Sequence, residues 1–71
     1  MDFKIGDIII QKNFSIVKNK PEVTYTVTKV KERSVLADTN WKEGWTELPN
    51  TILKYYCLVS EFKEEFPELF L

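Results

Sequence analysis

Val23-Thr24-Tyr25-Thr26-Val27-Thr28 is the part of this sequence with the clearest structural signal. Valine or tyrosine occupies every second position, and threonine fills the positions between them. Successive side chains of a β-strand point to opposite faces, so this alternation predicts a strand with one apolar face. Charged residues at 29–33 and a short apolar stretch at 34–38 follow. Residues 23–38 therefore predict a β-hairpin.

Three more strands are predicted around this hairpin. The triplet Ile8-Ile9-Ile10 follows a turn at Gly6-Asp7, and β-branched side chains favour extended backbone. Residues 41–48, with a bend at Gly44, predict a fourth strand, and residues 56–59 predict a short fifth strand. Five closely spaced short strands are typical of a small antiparallel barrel.

The remaining segments predict loops and short helices. Residues 13–22 contain Pro21 and show little periodicity, so we expect a loop, partly tucked down by its apolar residues at 14, 16 and 17. Residues 52–55 predict one tight helical turn. Ser60 is a suitable N-cap for a helix over residues 61–66, which Pro67 would end.

A chain of 71 residues is long enough for one domain. We therefore expect a mostly-β fold, with a five-stranded antiparallel barrel over residues 1–59. A short acidic helix over residues 60–71 would be packed on this barrel or appended to it. The charge distribution follows the same division: residues 3–59 carry nine basic and six acidic side chains, and residues 60–71 carry one lysine and four glutamates.

The order of these elements resembles a known fold family. The residues that carry the resemblance are Phe3, Ile5-Gly6-Asp7, Ile9, Tyr25-Thr26-Val27-Thr28, Val30, Val35, Ala37, Trp41, Trp45, Leu48-Pro49, Tyr56 and Leu58-Val59. They look like the small SH3-like barrels of the KOW and Tudor type, and most closely like the short stand-alone SH3-like proteins of bacteriophages and prophages. The resemblance implies an SH3-like barrel over residues 3–59 that binds proteins or nucleic acids.

Two specific activities of the related families are not implied. The chain lacks the acidic specificity loop and the opening motif of signalling SH3 domains. The turn Lys31-Glu32-Arg33 lacks the glycine of the KOW motif. Neither proline-rich peptide binding nor ribosomal-RNA binding is therefore carried over by the resemblance.

The composition argues against catalysis. The chain has no histidine and one cysteine, so the commonest general base and the usual zinc ligands are missing. We expect no enzyme activity, no cofactor and no metal. Cys57 lies in an apolar strand, which favours a packed thiol over a reactive one. Glu61, Glu64, Glu65 and Glu68 are the densest carboxylate cluster, and a solvated helix face explains them better than acid–base chemistry.

The same features suggest a compartment. A single cysteine fits a reducing environment, and residues 1–4 show no signal-peptide pattern. The longest apolar run, Ile8-Ile9-Ile10, is far shorter than a membrane span. We therefore expect a cytoplasmic protein that has no membrane partner.

Aromatic residues form the first candidate binding surface. Trp41 and Trp45 would share one face of an extended segment, with Tyr25, Tyr55 and Tyr56 available nearby. Tryptophan and tyrosine are enriched at interface hot spots. The alternative is that at least one tryptophan belongs mainly to the core.

The tail forms the second candidate surface. Phe62, Phe66, Leu69 and Phe70 fall on one helical stripe, and the charged residues lie off it. This stripe could occupy a groove on a partner or on a second copy of the chain, which would give a homodimer. We favour the alternative, in which the tail covers the open end of its own barrel.

Basic residues form the third candidate. Two loops that could converge carry Lys18, Lys20, Lys29, Lys31 and Arg33. Phosphate contacts require such residues, although a net charge of −1 predicts that any nucleic-acid binding is weak and independent of sequence.

Two hypotheses about function follow. In the first, the chain is a small phage-type protein that binds and modulates a host protein, through Trp41, Trp45, Tyr55, Phe62, Phe66 and Phe70. In the second, it is a nucleic-acid-binding small barrel that uses the five basic residues.

Overall fold

The predicted hairpin forms the middle of the sheet. In the computed structural model, which describes residues 3–70, β2 spans Tyr25–Val30 and β3 spans Ser34–Thr39. The two strands pair antiparallel, with Val27 opposite Ala37, and both of these side chains are buried. The register shifts between Val27 and Lys29, which marks a β-bulge at Thr28. The hairpin predicted over residues 23–38 is thus confirmed, although its first strand begins and ends two residues later than predicted.

Three further strands complete an antiparallel sheet. They are β1 (Ile8–Gln11), β4 (Trp45–Pro49) and β5 (Tyr56–Leu58). The strand order is β4-β3-β2-β1-β5, so β4 and β5 form the two edges. The prediction of five antiparallel strands is confirmed. Backbone pairing does not join β4 to β5, and the observed sheet is open.

The predicted loop at residues 13–22 is partly wrong, because α1 spans Lys12–Lys18. The helix ends at Asn19, which has a φ of 52° and donates its backbone N–H to the Ser15 carbonyl. Asparagine tolerates this left-handed conformation better than most residues, so Asn19 was the available stop signal. Ser15 is the buried residue of α1, whereas Phe14, Ile16 and Val17, which were expected to be tucked down, are all exposed, Val17 by 76%.

The other boundaries shift by a few residues. Residues 40–44 form bends, and Gly44 has a φ of 91°, so β4 begins at Trp45 and not at residue 41. After Pro49, a 3₁₀ helix spans Asn50–Tyr55, which confirms the predicted tight turn. Helix α2 spans Val59–Glu65 and has no side-chain N-cap, so Ser60 does not cap it. Pro67 ends α2 as predicted, and a second 3₁₀ turn spans Pro67–Phe70.

Two hydrophobic clusters lie on opposite sides of β1. Ile9 belongs to the larger cluster and Ile10 to the smaller one, and both side chains are fully buried. The larger cluster also contains Phe3, Val27, Val35, Ala37, Leu48, Leu53 and Tyr56. The smaller one contains Cys57 and Phe62, with Val59, Phe66, Leu69 and Phe70 packed against it. The tail therefore packs on a face of its own sheet, whereas its predicted position over the open end of a barrel stays a prediction.

We predict that Phe62→Ala unfolds much of the protein. Phe62 is fully buried, and its ring packs against Phe66 at 5.1 Å and Phe70 at 5.8 Å between centroids. Truncating a buried phenylalanine costs about 3–5 kcal/mol, and a domain of this size has little more than about 3–5 kcal/mol in total. Urea unfolding measures the loss of unfolding free energy. Because the tail covers Cys57, the rate of Cys57 alkylation reports whether the tail has left the sheet.

The exposed variant Glu64→Ala, in the same helix, serves as the control and should keep the wild-type midpoint and a protected thiol. A Phe62→Ala protein that melts like the wild type, with Cys57 still protected, would contradict the packing role of the tail.

We predict that the protein loses stability in alkaline solution because the pKa of Tyr56 is raised in the folded state. Burial, together with the neighbouring Tyr25, raises the pKa of Tyr56 from its ordinary value of 10.0 to about 12. Between these values the unfolded chain loses the phenolic proton and the folded chain keeps it. The free energy of unfolding therefore falls as the pH rises from 10.0 towards about 12. Tyr56→Phe removes this group, so unfolding curves for that variant should show a smaller decline over the same pH interval.

Candidate functional site

An apolar groove lies at one end of the sheet. Its volume is about 360 Å³, and it is lined by Gln11, Phe14, Lys20, Val23, Tyr25 and Trp41. These residues come from the end of β1, from α1, from the segment before β2, from β2 itself and from the bend after β3. Trp41 is 56% exposed although it forms one wall. We name this feature the Trp41 groove.

Asn40 holds two walls of the groove together. Its side-chain oxygen accepts a hydrogen bond of 3.0 Å from the backbone N–H of Thr24, and its side-chain nitrogen donates to the backbone carbonyl of Glu22. Its own backbone N–H donates to the Thr24 carbonyl at 3.4 Å. These bonds fasten the bend that carries Trp41 to the segment that carries Val23.

Ser15 fixes the position of Lys20. The buried Ser15 carbonyl accepts the backbone N–H of Lys20 at 3.2 Å, and the Ser15 hydroxyl donates to the Lys20 carbonyl at 3.4 Å. The left-handed turn at Asn19 brings the two residues together. The position of Lys20 at the groove is therefore set by the end of α1, an element that the sequence did not predict.

The residues that line the groove carry positive charge. Lys20 lines it, Lys18 lies in the last turn of α1, and the Lys42 ammonium lies 4.9 Å from the centre of the Trp41 ring. Of the described residues that line the groove, none is acidic. Glu22 and Glu43 are exposed in the neighbouring segments but do not line it.

Both tryptophans are exposed, so the alternative in which one belongs to the core is wrong. Trp41 forms the groove wall, and Trp45, which is 63% exposed, begins the edge strand β4 opposite Asp38. Gly44 and the bends before it prevent the extended run that would have placed both rings on one strand face. Tyr55 is also exposed, and the Lys54 ammonium lies 5.3 Å from the centre of its ring.

The tail residues belong to the interior more than to a surface. Phe62 is fully buried, and Phe66 and Phe70 are half-buried against it. The Cys57 thiol lies in the same cluster, where burial raises its pKa. A partner could reach only the outer edges of Phe66 and Phe70 while the tail stays in place.

The five predicted basic residues are divided between two regions. Lys20 lines the groove, and Lys18 lies in the last turn of α1, before β2 begins. Lys29, Lys31 and Arg33 lie in the last part of β2 and in the turn after it. The strand between them spans about 16 Å, given a rise of about 3.3 Å per residue. The two loops therefore do not converge.

A second cavity lies at the β2–β3 turn. Its volume is about 390 Å³, and its lining includes Phe3, Lys31, Glu32, Asn50 and Lys54. Much of its positive charge is already paired, because the Lys31 ammonium lies 3.6 Å from the Glu47 carboxylate. The Ser34 hydroxyl donates to that carboxylate at 2.6 Å, and this bond and Lys31 together lower the pKa of Glu47.

Sequence reasoning missed several parts of the groove. Phe14 was not identified as a site residue because residues 13–22 were interpreted as a loop, and Val23 was interpreted only as part of a strand. Gln11 was not singled out. Asn40 was not identified as a site residue either. The groove depends on contacts between segments far apart in the chain, which a local pattern does not encode.

Comparisons with known proteins identify no relative. The chain matches no protein-family model, and neither the curated proteins nor the solved structures give a match. Residues 3–70 contain no group of three or more histidine, cysteine or acidic side chains placed to hold a metal ion. Among the helices that the structure describes, none is long and apolar enough to cross a membrane.

We predict that Asn40→Ala loosens the Trp41 groove. The substitution removes both side-chain hydrogen bonds to residues 22 and 24, and the expected loss of stability is about 1 kcal/mol because these bonds are exposed. Trp41 should become more accessible to a fluorescence quencher. The exposed Asn13→Ala in α1 is the matched control. Unchanged quenching in Asn40→Ala would show that Asn40 does not hold the groove.

Proposed function

We propose that this protein is a small, non-enzymatic binding domain that recognises another protein through the Trp41 groove. The observation that carries the proposal is an indole more than half exposed at the wall of an apolar groove. Exposing such a ring to water is unfavourable, and interface hot spots concentrate tryptophan in pockets of this kind.

The dimensions of the groove favour a partner's side chain. A volume of about 360 Å³ is at the low end of small-molecule pockets. The second tryptophan, Trp45, lies on the edge strand β4 and extends the exposed aromatic surface beyond the groove. A protein partner could use both features, because interfaces combine a central anchor with a wider rim.

We also propose that the sheet curls into an SH3-like barrel. The edge strands β4 and β5 are joined by the 3₁₀ helix Asn50–Tyr55, which has six residues. Six residues of 3₁₀ helix extend about 12 Å, whereas the edges of a flat five-stranded sheet are about 19 Å apart. A strongly curled sheet meets this constraint, and the bulge at Thr28 adds twist.

The SH3-like resemblance suggests which kind of partner is involved. Short stand-alone proteins of this type are found in bacteriophages and prophages, so we propose a host protein in the cytoplasm as the partner. A reducing compartment agrees with the single cysteine, Cys57. Because the tail packs on its own sheet, we prefer the groove over the tail as the binding surface, and a heterologous partner over a homodimer formed through the tail.

Weak nucleic-acid binding is the second candidate function. Lys54 joins Lys31 at the second cavity, and Lys29 and Arg33 are exposed near the same turn. The ion pair between Lys31 and Glu47 limits the charge available to phosphates. Such binding would have a shallow salt dependence, with a slope of about −0.9 for each phosphate contacted.

Affinity capture from a bacterial lysate tests the proposed function. The immobilised protein should retain a defined partner after nuclease treatment, and Trp41→Ala should reduce that retention by about tenfold or more, as expected for a hot spot. The matched variant Trp45→Ala removes an equally exposed indole outside the groove and should have a smaller effect.

Two results would argue against a protein-binding groove. A partner retained equally by the wild type and Trp41→Ala would place the binding surface elsewhere. Retention that disappears after nuclease treatment would favour the nucleic-acid function. Circular dichroism of each variant should match the wild type, which shows that the fold is intact.

A further inference from the structure

The Trp41 groove combines an apolar lining with nearby lysine side chains. Phe14, Val23, Tyr25 and Trp41 supply the apolar surface, and Lys20 is the charged residue of the lining. Lys18 adds a second positive charge two residues earlier along the chain. A ligand that fills this groove therefore contacts aromatic surface and at least one ammonium group.

A cationic ligand does not fit this arrangement. The face of an aromatic ring attracts cations, so an exposed tryptophan could in principle receive a lysine or arginine from a partner. Here the Lys42 ammonium already lies 4.9 Å from the centre of the Trp41 ring. A second cation would be repelled by Lys42 and by Lys20, and no acidic side chain among the described lining residues would compensate.

A nucleic acid fits less well than an acidic protein segment. Single-stranded nucleic acid needs a charged path that follows several phosphates, but Lys18 and Lys20 are separated from the other basic residues by the length of β2. The exposed Glu22 and Glu43 beside the groove would repel a continuous phosphate backbone. A peptide can present a few carboxylates at chosen positions and leave the rest of its length neutral.

We propose that the Trp41 groove binds an acidic segment of a partner protein that carries one large apolar side chain. The apolar side chain enters between Phe14 and Trp41, and flanking carboxylates pair with Lys18, Lys20 and Lys42. This inference rests on the proposed protein-binding function and adds the chemistry of the partner. Complementary charge at the rim contributes mainly specificity and association rate, whereas the apolar anchor supplies the affinity.

Two synthetic peptides with the same central phenylalanine test the proposal. One has glutamates on both sides of the phenylalanine and the other has lysines. Binding is followed by the fluorescence of Trp41 in a Trp45→Phe background, where Trp41 is the remaining indole of the chain. The glutamate peptide should bind about tenfold more tightly than the lysine peptide, and added salt should weaken it.

Charge reversal in the protein provides the matched control. Lys18→Glu combined with Lys20→Glu should reverse the preference between the two peptides. Lys4→Glu combined with Lys63→Glu introduces the same change in net charge at exposed positions away from the groove, and should leave the preference unchanged. Thermal melts confirm that both double variants stay folded.

Several outcomes would overturn the proposal. Equal binding of both peptides would remove the acidic preference but leave the groove as a protein-binding site. If neither peptide changes the Trp41 fluorescence, but a protein is still captured from the lysate in a Trp41-dependent way, then the acidic partner is rejected and the protein-binding groove is kept. A stronger response to a single-stranded oligonucleotide would assign the groove to nucleic acid. Self-association that depends on Lys20 would make the acidic tail of a second copy the occupant.

Discussion

The burial of β1 on both of its faces is the constraint on which the rest of the structure depends. Ile9 and Ile10 are adjacent, so their side chains point to opposite faces, yet neither is accessible to solvent. One face meets the larger cluster between the sheet and the 3₁₀ helix. The other would lie in water if the tail did not cover it. The apolar stripe of residues 62–70 is therefore required by the isoleucine triplet near the start of the chain.

This constraint also decides which surfaces are available for binding. Because the tail covers Ile10 and Cys57, its phenylalanines are committed to the interior. The free aromatic surface lies instead at the end of the sheet where β1 leads into α1 and β3 leads into the bend at Asn40. Trp41 is exposed there, and the hydrogen bonds of Asn40 fasten its segment to residues 22–24.

The sequence was most informative where structure depends on neighbouring residues. The alternation of residues 23–28 and the polar turn after it predicted the hairpin, and the helical spacing of Phe62 and Phe66 predicted the tail. Helix α1 was missed because its buried side chain is a serine, so no apolar stripe marked it. The two tryptophans were identified as site residues, but their separation was not foreseen, because one glycine with a positive φ divides them. The groove itself joins residues 11, 14, 20, 23, 25 and 41, whose proximity depends on the whole fold.

The origin of the groove walls has a consequence for how such a protein can evolve. Phe14, Lys20, Val23 and Trp41 stand on α1 and on connecting segments, whereas the larger cluster is built mainly from strands. Connecting segments tolerate sequence change better than the elements they join. If the groove binds a partner as proposed, mutations at those four positions would alter which partner is recognised, while the strands and the tail keep the domain folded. Substitutions that alter binding and substitutions that alter folding would then fall at largely separate positions. Related proteins could therefore acquire different partners while their strands and core stay the same.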